Sequence, residues 1–301
     1  MFNYWFRRSA YYAEHYARPE QLGRLVRTPG VLNILALGST QIRYALDFAA
    51  AGCAAAESLA FDVQPFLYDW LLLKKYAGSL RPGGVVILGV CPFSFLLWDL
   101  SAAMRRTPRF KRYYFLLDAD ELPGYDPGEY RQVVEQPFWS RNWSKVFKPC
   151  RREPGALPED KAIPDAGQLQ SNAAGWIDDW QRNFFAGEGF DRLLKPEIPE
   201  KNTNLLRQMI TFASAQKLRV KLLLPPVSGE LNSCLRQCRL EKYLYEPLQR
   251  AVEGTPGQVL DYLQAGEFAR AEYFRDALLL NKPGRRLFTQ QVLAAVSTGD
   301  K

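Results

Sequence analysis

The sequence predicts an α/β protein built on a doubly wound parallel sheet, and three observations predict it. Short, nearly continuous apolar runs recur and end in turn residues, helical patterns fill most intervals, and one long interval, 96–198, breaks the rhythm. The first run, 31–37 (VLNILAL), ends in Gly38-Ser39-Thr40, and the second, 85–90 (VVILGV), follows the breaker Arg81-Pro82-Gly83-Gly84. The third, 220–224 (VKLLL), ends in Pro225-Pro226, and a weaker fourth, 258–262, follows the turn Gly254-Thr255-Pro256-Gly257. Strands of a parallel sheet are covered on both faces, so they read as unbroken apolar runs rather than as an alternation. Helices are expected over 66–80, where Leu67, Trp70, Leu71 and Tyr76 lie near one face, over 202–218, and over 231–252. A closing helix over 284–297 carries apolar Leu287, Phe288, Val292 and Val296. Residues 96–198 are rich in aromatics, prolines and charges and read as a large insertion or cap over the strand ends. The expected organisation is an N-terminal extension over 1–30 and one α/β domain over 31–301.

A chain of 301 residues, 47% apolar and 24% charged, is long enough to bury a core of that kind. No run of about 18 apolar residues occurs, so no membrane-spanning helix is expected. Residues 1–10 lack the apolar core and small-residue cleavage site of a secretory signal, which makes the cytoplasm the expected compartment. Five scattered cysteines, Cys53, Cys91, Cys150, Cys234 and Cys238, fit free thiols in a reducing compartment better than a disulfide framework. Cys234 and Cys238 share a helix face, yet a zinc pair would need two more ligands and the only histidine is the distant His15, so no metal is expected. The formal charge is +7, and between 101 and 152 Lys and Arg outnumber Asp and Glu. A solvated insertion accounts for that stretch, with an anionic glycan or a membrane surface as the specific alternatives; no motif speaks for nucleic acid. The N-terminal aromatics and basic pair (Phe2, Tyr4, Trp5, Phe6, Arg7, Arg8, Tyr11, Tyr12, Tyr16) read as a packed extension, with docking on a partner or on lipid headgroups as the alternative.

Ligands of open parallel sheets sit beyond the carboxyl ends of the strands, which directs attention to 38–40, 89–94, 225–228 and the segment after Tyr262. A strand, then Gly38-Ser39-Thr40, then a helix start at Gln41 resembles the way SGNH/GDSL hydrolases present their nucleophilic serine at a helix N-terminus. Residues 276–284 (DALLLNKPG) resemble the closing motif of that family, in which an Asp, two residues, a His, then Leu, Asn and Gly lead into the last helix. Between these ends, 62–69 (DVQPFLYD), 91–95 (CPFSF), 112–123 (RYYFLLDADELP) and 224–227 (LPPV) are similar to a bacterial branch found with cell-surface polysaccharide synthesis. That branch is distantly similar to the D-alanyl-transfer protein of teichoic-acid synthesis. The resemblance implies a three-layer α/β/α fold, Ser39 and Asp276 as catalytic positions, and Gly38, Thr40, Asp62, Ser94 and Asn281 as pocket residues. It also implies an acylated glycan or other small ligand, a membrane O-acyltransferase as partner, and no cofactor.

The departures from the family pattern concern the chemistry. Leu279 stands where the family places its base histidine, and a leucine cannot take the proton that an attacking serine must lose. Asp62 falls where a glycine helps bind the oxyanion, and a carboxylate there opposes negative charge. The third block, 89–94, holds no asparagine, leaving Ser94 as a single donor. His15 or Lys282 would replace the base only if brought within hydrogen-bond reach of Ser39. Without the base, Asp276 reads as a capping or surface carboxylate and Ser39 as a turn and cap residue as readily as a ligand contact. Two functions stay open at this point. One is a catalytically degenerate member acting in surface-glycan assembly or modification, peripheral to the membrane; the other is a working serine esterase or O-acyltransferase that uses Ser39. A nucleotide site is disfavoured, because Gly38-Ser39-Thr40 lacks the glycine spacing that lets backbone approach phosphate.

Overall fold

Five strands form one all-parallel sheet in the order β2-β1-β3-β4-β5, in a computed structural model that describes residues 6–25, 29–98, 108–135, 163–187 and 189–297. The strands are β1 (Leu32–Leu37), β2 (Ala56–Ser58), β3 (Leu80–Gly89), β4 (Arg219–Leu224) and β5 (Gln258–Asp261). The apolar runs supply the centre: Leu35, Ala36 and Leu37 of β1, Val86 and Ile87 of β3, and Leu222, Leu223 and Leu224 of β4 are all enclosed. In-register pairs such as Leu35↔Val86 and Leu88↔Leu222 lay those side chains in rows across the sheet.

Eight helices of the described chain matter here. They are α1 (Arg18–Leu25), α2 (Thr40–Ala45), α3 (Phe66–Tyr76), α4 (Ala166–Phe184), α5 (Ile198–Ala215), α6 (Gly229–Leu235), α7 (Glu246–Val252) and α8 (Lys282–Ser297). Helix α5 packs against α3 and α7, and α2 packs against α8, so helices flank the sheet in the doubly wound arrangement the sequence predicts. Phe288, Val292 and Val296 of α8 face the core, whereas Leu287 is exposed. In α3, Leu71 and Tyr76 are buried, while Leu67 and Trp70 are half-buried.

Three expectations need correction. A second strand, β2, pairs with β1 through Ile34↔Ala56 and Ala36↔Ser58, although Ala56-Glu57-Ser58 has no apolar run. Strand β3 starts at Leu80, because the breaker 81–84 bulges out of the ladder between Leu32↔Leu80 and Ile34↔Val85. The segment 231–252 is not one helix: Arg239 takes a left-handed φ of 51°, a π-turn follows over Glu241–Tyr245, and Pro247 sits in the first turn of α7.

The N-terminal aromatics are packed rather than free. Phe6, Tyr11, Tyr12 and Tyr16 are buried and meet edge-on or tilted, and Tyr16 reaches Phe115. Phe2, Tyr4 and Trp5 lie outside the described residues, as do Cys150 and, within the basic stretch 101–152, residues 101–107 and 136–152. No helix among the described residues is long and apolar enough to cross a membrane.

Candidate functional site

The chain leaves β1 toward β2 on one side and returns to β3 on the other, so a switch point opens between the carboxyl ends of β1 and β3. Two glycines form its floor. A Cβ on Gly89 would overlap Ile42 Cγ1 and lie 3.1 Å from the Leu37 carbonyl; one on Gly38 would lie 2.8 Å from Ile42 Cγ1. Gly38 also has φ +146°, a conformation that side chains disfavour. Ile42, the third residue of α2, is fully buried and fills the floor of the crevice.

Ser39 follows Gly38 at the head of α2 and is only 5% exposed. The loop 61–65 clamps over it. Phe61 N donates to Gly38 O at 3.1 Å, Val63 N to Thr40 Oγ1 at 2.9 Å, and Gln64 N to Ser39 Oγ at 3.2 Å. Val63 holds φ 55°, and a β-branched residue with positive φ is strained, so the clamp is imposed by its surroundings. The Asp62 carboxylate turns to Arg43, with Oδ2 2.5 Å from Nη1, while its carbonyl accepts from Arg112 at 2.6 Å. The buried Arg112 guanidinium is pushed below its ordinary pKa, chiefly by burial.

Behind the clamp lies a buried polar network that sequence reasoning missed. Gln64 Nε2 donates to Asp69 Oδ1 at 2.6 Å and to Leu59 O at 2.9 Å, and Gln64 Oε1 accepts from the Tyr113 hydroxyl at 2.8 Å. The Gly38 backbone N–H also bonds to the Asp69 carboxylate. Burial raises Asp69 to about 8, outweighing the Gln64 and Gly38 hydrogen bonds that favour its charged form. Asp69 therefore holds its proton at neutral pH. Cys91, beside it, is pushed up to about 12 by burial, and Ser94 Oγ accepts from Cys91 N at 2.9 Å while touching the thiol sulfur at 3.1 Å. The signal in the sequence was a carboxylate on the apolar face of a helix, since Phe66, Asp69, Leu73 and Tyr76 follow helical spacing.

The closing segment supplies no base. Asp276 Oδ1 accepts from Leu278 N at 2.9 Å and from Leu279 N at 3.0 Å, and the Trp176 side chain of α4 also bonds to this carboxylate. Burial holds Asp276 above its ordinary pKa. Leu279 is buried. Asn281 donates to Glu272 O at 2.7 Å and Phe274 O at 3.3 Å and accepts from Gly284 N at 2.9 Å, so its amide staples the entrance of α8. Asn281→Ala should cost about 2–3 kcal/mol in urea unfolding, because two carbonyls and one cap N–H lose their partner together. His15 packs in the Tyr11–Tyr16 aromatic cluster, and Lys282 is exposed at the start of α8.

Among the described residues Ser39 Oγ has one hydrogen-bond partner, the Gln64 N–H, and that partner donates. The hydroxyl hydrogen of Ser39 is thus free to donate to a ligand, while nothing bonded to it accepts a proton. Helix α4 stands over this end of the sheet: Trp180 and Phe184 pack on Phe93, just beyond β3. No trio of His, Cys, Asp or Glu converges as metal ligands would among the described residues. No protein-family model matches the sequence, and neither does any curated protein.

Proposed function

We propose that the protein is an SGNH/GDSL hydrolase-like scaffold whose Ser39 site binds a ligand without hydrolysing it. Its setting is the assembly or modification of a bacterial cell-surface polysaccharide, in the cytoplasm beside a membrane O-acyltransferase, with an acylated glycan as ligand. The setting rests on the motif resemblance. The loss of catalysis is supported chiefly by the bonding of Ser39, whose oxygen accepts from Gln64 N with no base attached. Asp276, which would orient an imidazole, is spent on Leu278 N, Leu279 N and Trp176, and Leu279 is a buried hydrocarbon at the base position. Members of such a triad act as a unit, and losing one costs on the order of 10⁴-fold or more in rate.

The test uses a short-chain acyl ester and a fluorophosphonate probe on the full chain. The expected result is no covalent adduct at Ser39 and no turnover above that of Ser39→Ala. A Ser39-dependent burst or adduct overturns the reading and establishes a serine esterase.

A further inference from the structure

One helical turn beyond Ser39, a cation is held without a hydrogen-bond acceptor. Helix α2 presents Arg43 and Tyr44 there, the clamp loop brings Asp62, and the segment before α8 brings Arg275. Arg43 N is bonded to Ser39 O at 3.2 Å, which ties this group to the serine through one turn of backbone. The Arg275 Cζ lies 5.1 Å from the Tyr44 ring centroid and the Arg43 Cζ 5.9 Å from it. The charged groups acting on the Tyr44 hydroxyl are one carboxylate, Asp62, and three arginines, Arg43, Arg275 and Arg285. Arg275 makes no side-chain hydrogen bond or ion pair among the described residues, and its Nη1 is closed off from solvent.

The neighbouring carboxylates do not resolve this. Asp62 Oδ2 is taken by Arg43 while its Oδ1 is enclosed without a partner. Asp276, whose Oδ1 is taken by two backbone N–H groups, acts on Arg275 through its charge without an ion pair between them. A guanidinium has five donors in a planar fork, and enclosing any of them without an acceptor is unfavourable unless an anion arrives. The fork fits the paired oxygens of a carboxylate or a phosphate, and partial burial strengthens that bond relative to water.

We propose that Arg275, with Arg43 and the Tyr44 hydroxyl, forms a subsite for a compact oxyanion, a carboxylate or phosphate, carried by the ligand that meets Ser39. The inference rests on the reading of the Ser39 end as a ligand site and narrows the ligand class to an acidic sugar. A neutral sugar would leave Arg275 as it stands.

Isothermal titration calorimetry of the full chain at low salt tests this with methyl glucuronide, glucose 1-phosphate and neutral methyl glucoside. At least one acidic probe is expected to bind about tenfold or more tightly than the glucoside, and the two acidic arms separate carboxylate from phosphate. Arg275→Gln should weaken acidic binding about tenfold, and 0.5 M salt should weaken it in the wild type. Arg275→Lys keeps the stem and the charge but loses the fork; it should remain folded by circular dichroism and still bind several-fold more weakly. Acidic probes that bind no better than the glucoside, silence with all three, or unchanged affinity in both variants overturn the subsite. Ester turnover at Ser39 would overturn the non-catalytic reading without altering these titrations, so the two failures are distinct.

Discussion

Gly89→Ala is expected to destabilise the protein by about 3 kcal/mol or more, at the upper end of what one added methyl does in a packed interior. Gly89 ends the central strand β3, and the added Cβ would overlap Ile42 Cγ1, lie 2.7 Å from Ile42 Cδ1 and 3.1 Å from Leu37 O. The carbonyl belongs to β1 and cannot retreat without breaking the ladder at Leu37↔Leu88. Ile42 cannot swing away either, since it is 1% exposed under Gly38 and Gly89. Ile42→Ala alone should cost about 2–4 kcal/mol through the cavity it leaves. The double variant should then recover at least about 1 kcal/mol relative to the sum of the singles, because the new methyl enters the vacated space. Urea unfolding of the four proteins measures this coupling. Strict additivity would show that Ile42 is not what Gly89 makes room for, and the account of the crevice floor would fail.

The same floor marks how far the sequence could be read. The β1 run and Gly38-Ser39-Thr40 were legible, because burial on both faces forces an unbroken apolar strand and a tight exit from it. Strand β2 was not: Ala56-Glu57-Ser58 is held at the sheet edge by pairing with β1, a tertiary cause that overrides weak local preference. The 81–84 breaker read as a strand boundary because nothing local says that the ladder resumes with Leu80 still paired. In 231–252 the apolar spacing hid a chain reversal at Arg239, although Pro247 gave a readable warning. At the site, the serine was visible and its partners were not. Gln64, Asp69 and Tyr113 meet across 5 and 49 residues of chain, and Trp176 reaches Asp276 from the aromatic-rich interval. Motif spacing can single out a serine; only folding shows that its oxygen is already accepting an N–H.

The stability of the protein should fall as pH rises from about 4 to about 8, and Asp69→Asn should remove the largest part of that fall. In the unfolded chain Asp69 ionises near its ordinary value of about 3.9, whereas in the folded protein burial holds it at about 8. Between those values the folded state keeps a proton that the unfolded state has released, so each pH unit lowers stability by up to about 1.4 kcal/mol. The contribution is complete below pH 4, is lost through pH 8, and is flat above it. Cys91, at about 12, and Tyr113, which burial moves above its ordinary value, do not ionise in the folded state within this window. Asp276 shifts in the same direction, so the measured quantity is the wild-type slope minus that of Asp69→Asn, from urea unfolding at pH 4, 6 and 8. Asparagine turns an NH₂ toward one of the two donors, Gln64 Nε2 or Gly38 N, and adds a loss of about 1–2 kcal/mol that does not vary with pH. The curves should therefore lie only about 1–2 kcal/mol apart at pH 4, with the wild type the more stable, then cross and separate toward pH 8, where Asp69→Asn is the more stable. Equal slopes would place the proton elsewhere and leave Asp69 charged against Gly38 and Gln64, the two residues that fix the backbone and the oxygen of Ser39.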